Sequence, residues 1–85
     1  MTTKVIVKNG WARNMLLTVE PWADQYVVSA GQVVEVVDVS NEVADTFEVE
    51  STADGLVVYG WPGSTLEVFC KNCRVEPRDQ NIPFE

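Results

Sequence analysis

The sequence predicts an all-β fold, a small antiparallel barrel or a two-sheet sandwich of about seven to eight short strands. Three observations carry that prediction. Apolar and polar residues alternate with a period of two in one run after another, as on a half-buried strand. Turn-forming residues interrupt the runs at short intervals, at Asn9-Gly10, Ala30-Gly31, Asp54-Gly55 and Pro62-Gly63. Hydrophobic residues make up 46 % of the chain, with valine foremost, and valine's stiff, branched side chain suits a pleated surface better than a helix. No stretch holds a helical period long enough to compete. At 85 residues the chain is expected to form one domain over residues 1–77, followed by an irregular tail over 78–85 that Ile82 and Phe84 would pin to the body.

The elements follow in order. TKVIVK is the first strand candidate. Asn9-Gly10 then suits a two-residue hairpin turn, because both residues accept positive φ. The return strand is WARNMLLTVE, with Met15, Leu17 and Val19 on one face, Trp11 packed across the hairpin, and Pro21 as its stop. QYVV is the third strand and VVEVVDVS the fourth. The fourth places valines on both faces, which predicts two-sided burial near the centre of a sheet. In TFEVE, Phe47 and Val49 point inward and Glu48 and Glu50 outward. STADG makes the next turn, LVVYG the next strand, and WPGS a turn with proline and glycine in type II order. TLEVFC and CRVEP complete the set.

Cys70 and Cys73, the only cysteines, flank Lys71-Asn72. Alternation counted from Leu66 and from Val75 puts both on the inner face, opposite each other across a two-residue turn. Two free, packed thiols are the simplest reading. A disulfide would close a very small loop and gain little entropy. A zinc site needs about four nitrogen or sulfur ligands, and the chain has no histidine and no third cysteine, so two would have to come from another subunit or from carboxylates. A thioredoxin-like couple needs a helix start after the strand, which RVEPRDQNIP cannot supply.

The net charge is −7, which disfavours nucleic acid and anionic membrane surfaces as partners. No export signal opens the sequence and no apolar run approaches the roughly 20 residues of a membrane helix, so a cytoplasmic location is expected. Between Arg13 and Lys71 there is no lysine or arginine. That span holds Glu35, Asp38, Glu42, Asp45, Glu48 and Glu50, an acidic face that either keeps strand edges solvated or meets a basic partner. DVSNEVAD places Asp38, Ser40 and Glu42 at alternating positions, but Val43 and Val49 stand where a calcium loop needs glycine and glutamate.

Four aromatics sit at strand ends. Trp22 and Tyr26 flank Asp24; Tyr59 and Trp61 lie near Asp54 in sequence. Either pair, with its carboxylate, offers a stacking platform for a sugar or peptide, or else plugs an end of the fold. Catalysis lacks parts: there is no histidine, no serine with a base partner in sequence, and no phosphate-cradling glycine loop. SAGQVVEVV, Ser29 to Val37, resembles a strand of cupredoxin-like sandwiches, a resemblance that implies a β-sandwich and no more, since those proteins hold copper with histidines. The sequence therefore predicts a non-enzymatic module without cofactor or metal. It would bind another protein through its acidic face, or alternatively a small ligand or carbohydrate at Trp22/Tyr26 or Tyr59/Trp61, or act through Cys70/Cys73.

Overall fold

A computed structural model describes residues 3–41 and 45–84. Eight strands form two four-stranded sheets: β1 (Lys4–Lys8), β2 (Met15–Glu20), β3 (Asp24–Val28), β4 (Val33–Asp38), β5 (Glu48–Ser51), β6 (Gly55–Tyr59), β7 (Leu66–Cys70) and β8 (Cys73–Val75). The first sheet runs β1-β4-β7-β8, antiparallel throughout. The second runs β3-β2-β6-β5, with β2 and β6 parallel and the other pairs antiparallel. The fold is all-β, a sandwich-like pair of sheets. No helix among the described residues is long and apolar enough to cross a membrane.

Alternation supplies the core. Val7, Val34, Val36, Leu66 and Val68 come from the first sheet; Met15, Leu17, Val19, Tyr26, Val28 and Val58 come from the second. Each fully buried valine or leucine here contributes roughly 1.5–3 kcal/mol of transfer free energy.

The strands form where the alternation places them, but they pair differently. No hairpin forms at Asn9-Gly10. β1 pairs with β4, and β2 lies in the other sheet between β3 and β6. Asn9 is 0 % exposed and acts as a strut between sheets rather than a turn residue. Its amide donates to the carbonyls of Arg13 (2.8 Å) and Val28 (2.9 Å), and its Oδ1 accepts from the Trp11 amide at 2.8 Å. Trp11 accordingly packs half-buried at the core margin, under the Arg13 guanidinium 4.3 Å from its ring centroid, and not across a hairpin.

Two burial expectations also change. β4 is central in its sheet, yet of its valines only Val34 and Val36 are buried; Val33 faces outward, because a two-layer sandwich covers one face of each sheet. Val49 is 50 % exposed although it has core parity, because β5 is the outermost strand of the second sheet.

The Lys71-Asn72 and Trp61–Ser64 turns form as read. Lys71 and Asn72 have φ of 52° and 67°, and Cys70 and Cys73 are register partners across them. In Trp61–Ser64 the Ser64 amide donates to the Trp61 carbonyl at 2.9 Å and Gly63 takes φ 88°, the positive value a type II turn requires. The tail has no regular structure but is attached to the β3 edge. The Arg78 amide donates to the Gln25 carbonyl at 2.7 Å, its guanidinium to Gln25 Oε1 at 3.0 Å and to the Ile82 carbonyl. Arg78, with half-buried Phe84, does the anchoring; Ile82 stays exposed.

Candidate functional site

The parallel β2–β6 pairing builds the site. It sets Glu20 beside Tyr59, and the antiparallel β5–β6 pairing sets Glu48 on the other side of the same ring. Cross-strand partners share a face, so the row Glu20, Tyr59, Glu48 runs across three strands on the outside of the second sheet. Glu50, two residues along β5, accepts the Tyr59 hydroxyl at 2.7 Å. That hydrogen bond, then partial burial and the charges of Glu50, Glu20 and Glu48, hold the Tyr59 phenol above its ordinary pKa.

Beyond this row the chain makes two turns side by side. The Gly60 amide donates to the Glu20 carbonyl at 2.9 Å, which ties the start of one turn to the start of the other. In the β2–β3 turn, Glu20 Oε1 accepts the Ala23 amide at 2.9 Å and Trp22 stands 43 % exposed. In the other turn, Ser64 Oγ accepts from the Trp61 amide (3.0 Å) and donates to the Trp61 carbonyl (2.6 Å). The Trp61 ring is only 8 % exposed and is backed edge-on by Phe47, with centroids 5.0 Å apart and planes at 70°. Its indole N–H is sealed from solvent with no acceptor among the described residues. Between the turns lies an open cleft of about 600 Å³, lined by Glu20, Pro21, Trp22, Tyr59, Gly60, Trp61 and the Pro62–Ser64 segment.

The structure therefore groups the aromatics differently from their order in the sequence. Trp22 joins Tyr59 and Trp61. Tyr26 is 5 % exposed in the core, where burial first and the Asp24 carboxylate next raise its phenol pKa. Asp24 is half-buried at the start of β3. Asp54 is exposed in the β5–β6 turn, at the far end of β6 from Tyr59.

The acidic face divides as well. Glu35 is ion-paired with Lys4 at 3.0 Å. Asp38 is 7 % exposed and structural: its Oδ1 accepts the amides of Ser40 and Thr65, each at 3.1 Å. Burial pushes its carboxyl up, but hydrogen bonds from the Ser40 side chain and from the Thr65 and Ser40 amides outweigh burial and hold the pKa below the ordinary value. Glu42 lies outside the described residues. Asp45, Glu48 and Glu50 are exposed along and before β5.

The cations that stand on strands are confined to the first sheet; Arg78, from the tail, reaches the second at Gln25 of β3. Lys4, Lys8 and Arg74 all stand on strands of the first sheet, where Lys4 pairs with Glu35 and Arg74 with Glu67 and Glu76. The four strands of the second sheet contain no lysine or arginine, and no ion pair among the described residues reaches Glu20, Glu48 or Glu50.

The cysteine pair stands on a strand hairpin. Both thiols are free; Cys70 is half-buried and accepts from Gln32 Nε2 at 3.1 Å, whereas Cys73, on the same face by its register with Cys70, is exposed. β8 is a three-residue edge strand, and among the described residues no strand beyond it covers Cys73. Among the described residues no group of three or more cysteine, aspartate or glutamate side chains is placed to hold a metal.

Sequence reasoning passed over Glu20, Phe47 and Ser64. Their local signals were present, a carboxylate before Pro-Trp and a hydroxyl closing Trp-Pro-Gly, but only the β2–β6 pairing makes them neighbours. No family model matches the chain, and no curated protein or solved structure matches it.

Proposed function

We propose that this chain is a non-catalytic binding module that recognises a basic protein through the outer face and β5 edge of its second sheet. The observation that carries the reading is the segregation of charge. The strands of that face carry no base, and Glu20, Glu48 and Glu50 stand together with no ion pair among the described residues; the cation that reaches the face, Arg78 at the β3 edge, is bonded to Gln25 and the Ile82 carbonyl, while the acids of the first sheet are largely paired. Uncompensated carboxylates on one face raise the local concentration of a cationic partner and speed its encounter. β5 adds a second element. It is an edge strand exposed at all four residues, so its outer backbone groups are open to an added strand, and Glu48 and Glu50 select the sign of what pairs there.

The test is capture of the partner and measurement of its association rate over a salt series, with Glu48→Gln/Glu50→Gln alongside. The rate falls on the order of 10-fold or more between low and high salt for the native chain and by less for the variant. A rate indifferent to both salt and variant overturns the reading.

A second reading, a small-ligand site, is favoured by the Trp22–Tyr59–Trp61 cleft. The two are compatible, because the cleft opens beside the same carboxylates.

A further inference from the structure

The chemistry of the cleft narrows what can occupy it. Three aromatic residues line it, and the Trp61 N–H, sealed from solvent, offers an occupant no donor. Hydroxyls and carboxylates are few among the lining residues, and most of their polar atoms are engaged. Ser64 Oγ both donates to and accepts from Trp61, Glu20 Oε1 holds the Ala23 amide, and the Tyr59 hydroxyl is given to Glu50. A sugar must exchange many water hydrogen bonds for protein ones, and side-chain partners for them are scarce here. A guanidinium needs a free, planar pair of acceptors. The cleft is nonetheless strongly negative in surroundings, because Glu20 and Glu48 flank Tyr59 and Glu50 holds its hydroxyl, with no lysine or arginine among the lining residues. Ring faces plus nearby anionic charge, with few free hydrogen-bonding side chains among the lining residues, suit a cation that has few or no N–H groups to satisfy.

We propose that the Trp22–Tyr59–Trp61 cleft takes a quaternary or multiply methylated ammonium, presented on a lysine side chain of the basic partner. The proposal rests on the reading above for the sign of the partner's charge. Positive charge spread over methyl groups lies against the rings, and Glu20 and Glu48 supply the longer-range attraction. An unmodified ammonium would surrender hydration that the cleft cannot replace, so methylation becomes the feature that is read.

The test uses the full chain and three versions of one short basic peptide: with lysine, with trimethyllysine, and with the neutral isostere in which carbon replaces the quaternary nitrogen. Binding is followed by tryptophan fluorescence and by the indole N–H resonances of Trp22 and Trp61. The trimethyllysine peptide is expected to bind at least ~10-fold more tightly than either of the others. Trp22→Ala should abolish that preference and Trp22→Phe should keep part of it; Trp22 is exposed enough that both fold, which a thermal melt verifies. Glu20→Gln and Glu48→Gln should each weaken binding several-fold. Equal binding of the carbon isostere would make the cleft a plain apolar groove and overturn the proposal. So would a disaccharide that moves the indole resonances when the trimethyllysine peptide does not. If the peptides bind in a salt-dependent way through Glu48 and Glu50 but without preference among the three, the cleft proposal fails and the acidic-face reading stands. If none binds, both fail.

Discussion

The Tyr59 hydroxyl donates to Glu50 Oε1 at 2.7 Å, a diagonal link from β6 to the outer strand β5 that fixes an aromatic ring between the carboxylates of Glu20 and Glu48. Ionising this phenol would abolish the donated hydrogen bond and set a fourth negative charge among three. Tyr26 resists ionisation too, mainly by burial.

These shifts give the chain an alkaline limit. Both phenols have folded-state pKa values above the ordinary 10.0, so the unfolded chain ionises first as pH rises. Their contribution to stability is complete below pH 10.0 and is lost as pH rises through the raised values. Tyrosinate absorbance should show both tyrosines half-ionised only above pH 10.0, with Tyr26 titrating as the near-UV signal of folding disappears. A phenol half-ionised at or below that pH in the folded chain contradicts the geometry.

Asp38 sets the acid limit. Its carboxyl lies below the ordinary 3.8, so its contribution is present above that value and disappears as pH falls through the lowered one. Asp38→Ala removes the acceptor of the Ser40 and Thr65 amides where the end of β4 meets the residue that leads into β7. The melting temperature should fall at neutral pH, and the gap from the native chain should shrink as pH is lowered below 3.8. A gap that is constant with pH would mean that the carboxylate's charge has no part in it.

Asn9 and Gly10 separate two accounts of one dipeptide. If they formed a hairpin turn, Gly10→Ala would be harmful. In the sandwich a Cβ on Gly10 meets nothing within 4 Å, so the substitution should change stability by less than about 0.5 kcal/mol. Asn9→Ala strands two carbonyls and an amide at a buried position and should cost about 3 kcal/mol, read from denaturant midpoints.

Gly55 tests the parallel pairing that builds the cleft. A Cβ there would lie 2.0 Å from the Leu16 carbonyl oxygen, which is backbone and cannot swing aside. Gly55→Ala should therefore cost about 2 kcal/mol or more, equivalent to a fall of roughly 10 °C in melting temperature. An unchanged melting curve would mean that β2 and β6 do not pair in this register.

The positions of strands and turns were legible in the sequence, because alternation and turn residues are local signals. Partnership was not. Nothing in Asn9-Gly10 says whether the following strand returns beside β1 or crosses to another sheet, and the buried hydrogen bonds of Asn9 settle it. Val49 reads as core by parity, and only its place on an outermost strand exposes it. Asp38 and Tyr26 went the other way. Both share parity with buried valines, Asp38 with Val34 and Val36 and Tyr26 with Val28, and parity rather than side-chain polarity decides their burial. The cleft depends on a parallel pairing of residues about forty apart, Glu20 with Tyr59, and no local pattern encodes it.

The central claim is that the location of charge, and not its total, makes this surface a binding face. It is tested most directly by titrating the labelled chain with a short oligolysine peptide and following every backbone amide resonance. The account predicts shifts concentrated on β5, β6 and the end of β2, around Glu48, Glu50, Tyr59 and Glu20. It also predicts that Glu48→Gln/Glu50→Gln removes them while Glu35→Gln/Glu67→Gln, which neutralises as much charge on the other sheet, leaves them in place. Shifts spread evenly over both sheets, or equal weakening by the two double variants, would contradict it.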